Sequence, residues 1–338
     1  MISRDFYCDV IIGKTERLSL SGKFNLRNGL RDMGIEVREA TSDEMKKNIR
    51  TVKKMTNGMG FDENMGSVNW KMVRRISSFG YKFMPKEKGV KFSKVMLGRI
   101  KGILSEPKEI SSNTIILYIH GGGFVSGSAA SSKGYSSMLA NYSGCRVYAI
   151  DYSLSPENAF PTALDDCYEA IVNLKKMYPD SKIAVAGESA GANLCIALAL
   201  KTKEAGLVSC AIVHSPIIDF SGALDRSKRV IDDFTVKEGC LIPLRKIYVG
   251  DHDVKDPLIS PLYGDFSGFT PTFISCDHSE TLASDAYCLY DRLEQSGVEV
   301  EMVVMKDTFH AFATIGTGTP ETKKLLEDNI RFMKSVMG

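Results

Sequence analysis

From about residue 90 onward, strand-like apolar segments alternate with segments in which apolar residues recur at helical spacing. The strand-like segments include NTIILYIH, CRVYAIDY, KIAVAGES, SCAIVHSP, TPTFISC and VEVEMVVM. Strands that alternate with helices predict an α/β fold, with a mostly parallel central sheet flanked by helices on both faces. Ligands bind such sheets at the carboxyl ends of the strands. We therefore expect the functional residues at these ends.

The first 90 residues have a different pattern. Their apolar positions also recur at helical spacing, but Gly-rich stretches such as NGMGFDENMG interrupt them. This pattern predicts several short helices. We therefore divide the chain into an N-terminal helical region, residues 1–90, and an α/β domain, residues 91–338.

The composition is that of an ordinary globular protein, with 43% hydrophobic and 25% charged residues and a net charge of only +2. The N-terminus, MISRDFYCDV, lacks the basic and apolar parts of a secretory signal, and no apolar run approaches the ~20 residues that span a bilayer. Eight cysteines lie singly, without zinc-type spacing. We predict a cytoplasmic protein without a disulfide framework, metal site, stable membrane insertion or nucleic-acid partner.

The segment Gly187-Glu188-Ser189-Ala190-Gly191 has the pattern G-x-S-x-G. It stands between the strand KIAVA and a helical pattern, which is the context that this nucleophile motif requires. A sharp strand-to-helix turn holds the serine in a strained conformation, and glycines two positions away avoid a steric clash. The helix N-terminus also favours negative charge near the hydroxyl. We predict that Ser189 is a nucleophile.

A second glycine cluster follows the strand NTIILYI, where His120 precedes Gly121, Gly122 and Gly123. Three consecutive glycines are costly in regular structure, but they allow main-chain amides to approach a substrate oxygen. An oxyanion hole requires such donors. We predict that this loop supplies it, with the amides of Gly122 and Gly123 as first choices and that of Ala190 as a third donor. We assign His120 a structural role in shaping the loop.

The candidate base is His310, because it follows the last strand and precedes the last helix. The order of nucleophile, acid and base expected for this fold places the acid between Ser189 and His310. Two carboxylates after the fifth predicted strand, Asp277 and Glu280, could orient the imidazole and stabilise its charged form. The spacing alone does not separate them.

The sequence resembles the hormone-sensitive-lipase-like family of carboxylesterases. The matching segments are HGGGF at 120–124, DYSLSPENAFPTALDD at 151–166, GESAG at 187–191, DPLISPL at 256–262, SETLASDA at 279–286 and FHAF at 309–312. The resemblance implies the α/β-hydrolase fold, places the triad acid at Glu280, and implies a helical cap formed by residues 1–90 with a contribution from 217–250. The chain departs from the family in having glutamate instead of the common aspartate at Glu188 and Glu280. It also has Ser153 where arginine is common.

These residues predict a serine hydrolase that forms an acyl-enzyme without a metal or organic cofactor. The predicted substrate is a small-molecule ester with a short- to medium-chain acyl group, because a large cap suits such groups better than insoluble triglycerides. One alternative is a non-catalytic small-molecule receptor on the same fold, although receptors of this kind typically lack the base. Another is an amidase or acyltransferase that uses the same triad. The sequence leaves a homo-oligomer open.

Overall fold

The computed structural model describes residues 35–56, 61–80, 85–224, 226, 232–314 and 318–338. Its strands are β1 (Glu36–Glu39), β2 (Lys91–Leu97), β3 (Ile100–Glu106), β4 (Ile115–Ile119), β5 (Arg146–Ile150), β6 (Ile183–Glu188), β7 (Cys210–His214), β8 (Thr272–Asp277) and β9 (Val300–Lys306). Its α-helices are α1 (Asp43–Thr56), α2 (Trp70–Gly80), α3 (Lys133–Ser143), α4 (Thr162–Met177), α5 (Ala190–Lys201), α6 (Leu241–Tyr248), α7 (Ala283–Gln295) and α8 (Pro320–Met337).

The strands form one sheet in the order β1-β9-β8-β7-β6-β4-β5-β3-β2. The first seven strands in this spatial order, which end with β5, pair in parallel with their neighbours. Strand β3 is antiparallel to both of its neighbours, β5 and β2. The central strands β4, β7 and β8 are buried along their whole length. The expected fold, a mostly parallel sheet flanked by helices, is confirmed.

Helices cover both faces of the sheet. Alternate residues of β4 face different cores, with Leu117 in one and Ile116 in the other. The Leu117 core includes side chains of α4, α5 and α7, such as Leu194 of α5. The Ile116 core includes side chains of α1, α3 and α8, such as Met45 and Phe332. Because both faces are closely packed, the carboxyl ends of the strands form a rigid platform.

The sheet extends into the N-terminal region, which corrects one prediction. Residues 36–39 belong to the segment predicted to be helical, yet β1 pairs in parallel with β9, and Val37 is buried. Helix α1 also packs into a core of the sheet through Met45, so the predicted division at residue 90 does not separate these elements from the α/β domain. The physical reason is that four residues, EVRE, are too short to show a period. Residues 1–34 lie outside the described residues.

Two segments distant in sequence pack against each other beside the sheet. Phe61 forms a parallel bridge with Val236, and its main chain donates to Thr235 O and accepts from Lys237 N. The ring of Phe61 stacks on Trp70 of α2. The turn that precedes α2 contacts α6. We call residues 61–80 and 233–248 the paired segments.

Two further observations concern the environment of the chain. Within the described part, no helix combines the length and the apolar character needed to cross a bilayer. All seven cysteines that the structure describes are buried: Cys145, Cys167, Cys195, Cys210, Cys240, Cys276 and Cys288.

Candidate active site

Ser189 lies in the turn between β6 and α5. Its backbone has φ 55° and ψ −120°, a region that residues other than glycine rarely occupy. Its main-chain N–H donates to His214 O at the end of the neighbouring strand β7, across 2.9 Å. Only 9% of the residue is exposed. The predicted strained turn before a helix N-terminus is therefore present.

The two glycines of this turn are required by close main-chain contacts. A β-carbon at Gly191 would lie 2.0 Å from Ile119 O and 2.6 Å from His120 O. A β-carbon at Gly187 would lie 2.5 Å from Ile119 O. Real β-carbons do not approach backbone oxygen this closely, and backbone atoms cannot move aside as a flexible side chain can. The turn can therefore approach the end of β4 only with glycine at both positions.

Glu280 and His310 face each other at the carboxyl ends of β8 and β9. Glu280 Oε1 lies 3.5 Å from His310 Nδ1, and both side chains are buried. This separation is slightly longer than a formed N–H···O hydrogen bond, and catalytic hydrogen bonds are often long in the absence of substrate. The structure thus pairs the predicted base with one of the two candidate acids.

Asp277, the other candidate acid, has different partners. Its Oδ2 accepts from the main-chain N–H and the hydroxyl of Thr308, at 2.9 and 2.6 Å, and its Oδ1 accepts from Ser279 N at 2.7 Å. Asp277 therefore joins the loop that carries Glu280 to the loop that carries His310. These contacts commit its carboxylate to loop structure and leave Glu280 to face the imidazole.

The surroundings of His310 favour the imidazolium that a general base forms during reaction. Burial alone would lower the pKa of His310, but the neighbouring carboxylates outweigh burial and raise it. Glu280 contributes most to this increase, followed by Asp233 and Glu188. Burial in turn raises the pKa of Glu280, which the charge of His310 partly offsets. The pair is therefore electrostatically coupled.

The glycine loop after β4 corrects one predicted donor. The main-chain N–H of Gly121 donates to Glu188 Oε1 across 2.8 Å. This amide is therefore committed to a protein carboxylate, and Gly121 does not belong among the donors of an oxyanion hole. The sequence pattern could not show this, because it depends on the side chain of a residue on another strand.

The other three predicted donors have free amides. Among the described residues, no acceptor binds the main-chain N–H of Gly122, Gly123 or Ala190. Gly122 has φ 107° and Gly123 has φ 60°, so both use the left-handed region that favours glycine. The turn is held by Gly122 O, which accepts from Val125 N and Ser126 N. These amides are available to an oxyanion.

The contacts of Glu188 were not predicted from the sequence. Besides Gly121 N–H, its carboxylate accepts a short hydrogen bond from the hydroxyl of Tyr118 on β4. Burial raises the pKa of Glu188 to about 7, against the opposite effect of the hydrogen bonds from Tyr118 and Gly121. The only sequence signal was the glutamate in place of the family's common aspartate. Glu188 ties the glycine loop to the turn of Ser189.

Two of the remaining histidines, His120 and His214, have structural surroundings. His120 Nδ1 lies 2.8 Å from Gly121 O and its ring stacks on Tyr152, which fits the predicted loop-shaping role. His214 lies 2.9 Å from the hydroxyl of Tyr135 and 2.7 Å from that of Ser275. Burial lowers the pKa of His120 to about 4 and that of His214 to about 3. Both are therefore neutral near pH 7.

The paired segments approach the glycine loop directly. A β-carbon at Gly123 would lie 2.9 Å from Cε1 of Phe61 and 3.6 Å from Cδ1 of Leu244 on α6. Arg74 of α2 donates to Val125 O at 2.6 Å and to Glu157 at 2.9 Å. Both segments therefore contact the loop that carries the free amides. The sequence analysis identified none of these contacts.

Comparison with known families agrees with this fold. A sequence profile of the family described as the alpha/beta hydrolase fold matches residues 116–314. The match covers more than half of the chain and includes Ser189, Glu280 and His310. The protein belongs to the α/β-hydrolase fold family.

Individual relatives narrow the class. An esterase of Acinetobacter venetianus is 29% identical over 252 residues, which are 70% of this chain and 81% of the relative. An acetyl-hydrolase of Streptomyces hygroscopicus is 30% identical over 228 residues, or 66% and 76% of the two chains. A crystal structure described as a hormone-sensitive lipase from a metagenome library is 29% identical, with a TM-score of 0.76, and the match covers 88% of this chain and all of that one. The predicted resemblance and the predicted class, a carboxylesterase-type serine hydrolase, are confirmed, and the receptor alternative is not favoured.

Proposed function

We propose that the protein hydrolyses small-molecule carboxylic esters, with Ser189 as nucleophile, His310 as general base and Glu280 as the acid that orients it. The observation that carries this proposal is the backbone of Ser189, whose φ of 55° holds the residue in a strained turn at the start of α5. Strain of this kind is retained only where the surrounding structure enforces it, and it clusters at active sites.

The proposed reaction gives each of these residues one task. Ser189 attacks the ester carbonyl while His310 accepts the hydroxyl proton, and the tetrahedral oxyanion is held by the amides of Gly122, Gly123 and Ala190. His310 then protonates the leaving alcohol, and the acyl group remains on Ser189. Water, deprotonated by His310, attacks the acyl-enzyme and releases the acid. Glu280 stabilises the imidazolium in both halves of the reaction.

The paired segments supply the proposed cap over this site. Phe61 and Leu244 lie beside Gly123, so an acyl group bound with its carbonyl oxygen at this amide would meet their side chains. This crowding supports short- to medium-chain acyl groups as substrates. The positions of Leu244 beside Gly123 and of Val236 beside Phe61 support a contribution of residues 217–250 to this cap.

The experiment is turnover of p-nitrophenyl acetate and butyrate by Ser189→Ala and by Ser143→Ala. Ser143 is also a buried serine, but its hydroxyl donates to Leu139 O within α3. We expect Ser189→Ala to lose roughly 10⁴-fold or more of kcat, and Ser143→Ala to retain nearly all of it. Wild-type turnover by Ser189→Ala would refute the proposal. A cytoplasmic location and the absence of a nucleic-acid partner stay predictions, and the oligomeric state stays open.

A further inference from the structure

Ser215 occupies an unusual backbone conformation next to the proposed triad. It follows β7 directly, and its φ of 49° lies in the left-handed region. Glycine would adopt this conformation without steric cost, whereas serine carries a β-carbon that opposes it. The strain points to a function for the hydroxyl that glycine could not supply.

The side chain of Ser215 bridges the loops of the acid and the base. Its Oγ donates to Glu280 Oε2 at 2.8 Å and accepts from the main-chain N–H of Ala311 at 3.0 Å. Ala311 directly follows His310 and also has a positive φ, 57°. Ser215 is only 1% exposed, so water does not compete for these bonds. One hydroxyl therefore contacts the carboxylate and the peptide beside the imidazole.

The main chain of Ser215 connects the same network to the nucleophile. Its N–H donates to Ser275 O on β8 at 2.7 Å, and the preceding residue, His214, accepts from Ser189 N through its carbonyl. The peptide segment 214–215 is thus hydrogen-bonded to the turn of Ser189, to the strand before Glu280 and, through Oγ, to Ala311.

The identity of the acid explains why such a contact is needed. Glutamate has one more rotatable side-chain bond than aspartate, so a buried glutamate must be held more firmly to keep one oxygen on the imidazole. Oε1 of Glu280 faces His310, and Oε2 accepts from Ser215 Oγ at 2.8 Å and from Asp277 N at 3.2 Å. Ser215 provides the shorter of these two anchors.

We infer that Ser215 is a positioning residue of this active site, which holds Glu280 and His310 in register with Ser189. This inference rests on the proposed function. Ser215 does not touch the reacting atoms; it acts through Glu280. Its effect on the rate should therefore depend on the presence of the Glu280 carboxylate.

The test is a double-mutant cycle with Ser215→Ala and Glu280→Ala, measured as kcat and KM for p-nitrophenyl acetate. Misplacement of a catalytic group by about 1 Å can cost roughly 10²-fold, so we expect Ser215→Ala to lower kcat about 10- to 100-fold with little change in KM. In the Glu280→Ala background, the same substitution should change kcat less than about 2-fold, since the group through which it acts is gone. The acidic limb of the kcat/KM profile should move to lower pH in Ser215→Ala, because His310 loses part of its carboxylate partner.

Two further variants separate positioning from folding. Ser215→Gly removes the hydroxyl and the backbone strain together, so it should fold and still show the kcat loss of Ser215→Ala. Ser143→Ala removes a buried hydroxyl on α3 and should leave both kcat and the pH profile unchanged. The inference would be overturned if Ser215→Ala lowered kcat by the same factor in the wild-type and Glu280→Ala backgrounds. It would also be overturned if Ser215→Gly had the kcat of the wild type. Failure of the proposed function is distinct, because the wild-type enzyme would then not turn over esters at all.

Discussion

The main-chain N–H of Gly121 donates to Oε1 of Glu188 across 2.8 Å. The two residues belong to different strand ends, one at the start of the glycine loop and the other directly before Ser189. This hydrogen bond therefore joins the loop that carries the free amides to the turn that carries Ser189. Because the rate depends on the placement of oxyanion donors, we expect the loss of this contact to lower the rate.

Replacement of Glu188 should reduce the rate without preventing substrate binding. Glu188→Ala leaves Gly121 N–H and the Tyr118 hydroxyl without their acceptor, so the loop loses its anchor. We expect kcat to fall about 100-fold, comparable to the loss of one oxyanion donor. Glu188→Gln keeps an acceptor oxygen, so its kcat should fall by less than about 10-fold. Kinetics with p-nitrophenyl acetate check this, and equal rates for Glu188→Ala and the wild type would show that the contact is dispensable.

The close approach of the nucleophile turn to β4 predicts a large stability difference between two glycine substitutions. Gly191→Ala places a β-carbon 2.0 Å from Ile119 O, whereas at Gly66 the nearest atom would be Pro243 Cβ at 3.9 Å. We expect Gly191→Ala to lower the free energy of unfolding by about 3 kcal/mol and Gly66→Ala to change it by less than ~0.5 kcal/mol. Urea unfolding measures both. Similar midpoints for the two variants would contradict the described turn.

The raised pKa of His310 predicts the pH dependence of the reaction. A general base must be neutral, so kcat/KM falls as the pH drops through its pKa. Since the neighbouring carboxylates raise this pKa, the acidic midpoint should lie above the ordinary histidine value of about 6.5. Asp233→Asn removes one of these charges and should move the midpoint to lower pH, and Glu280→Gln should move it further. Asp265→Asn, at an exposed loop, is the control and should leave the acidic midpoint unchanged. An acidic midpoint that is the same in all three variants would contradict the effect of the neighbouring carboxylates on the pKa of His310.

The position of Phe61 predicts a change in acyl specificity. Its ring lies against the backbone of Gly123, so Phe61→Ala should open space beside the oxyanion hole. We expect the ratio of kcat/KM for octanoyl over acetyl p-nitrophenyl esters to rise about 10-fold, which corresponds to ~1.4 kcal/mol of differential transition-state binding. Phe92→Ala is the control. Phe92 lies on β2, the strand at the other edge of the sheet from β1, and its ring contacts Lys133 of α3. If Phe61→Ala has the same relative kcat/KM values as the wild type along a series from acetyl to palmitoyl esters, Phe61 does not belong to the acyl pocket.

The sequence predicted the central part of the fold because its signals are local. The strands β4, β6, β7 and β8 are short apolar runs, and the G-x-S-x-G pattern requires a strand and a helix around it. Helix α3 was not predicted, because serines such as Ser136 and Ser137 are buried at its interface with the sheet, and serines do not produce an apolar period. Strand β1 was missed because its alternation covers only four residues.

The contacts between distant residues were beyond sequence reasoning. The residues alone could not choose between Asp277 and Glu280, because both lie at the carboxyl end of β8. The hydrogen bonds of Asp277 to Thr308 separate them only in three dimensions. Gly121 shares its glycine pattern with Gly122 and Gly123, yet its amide is taken by Glu188. In each case, the deciding partner is distant in sequence: Thr308 follows β9, and Glu188 is the last residue of β6.

The most direct test of the account is stoichiometric labelling with a fluorophosphonate, followed by intact mass and peptide mapping. An activated serine is phosphonylated, whereas an ordinary serine is not. We predict one label per chain on Ser189, none on Ser189→Ala, and labelling of His310→Ala slowed by roughly 10³-fold or more. An unlabelled wild-type protein, or a label that persists in Ser189→Ala, would contradict it.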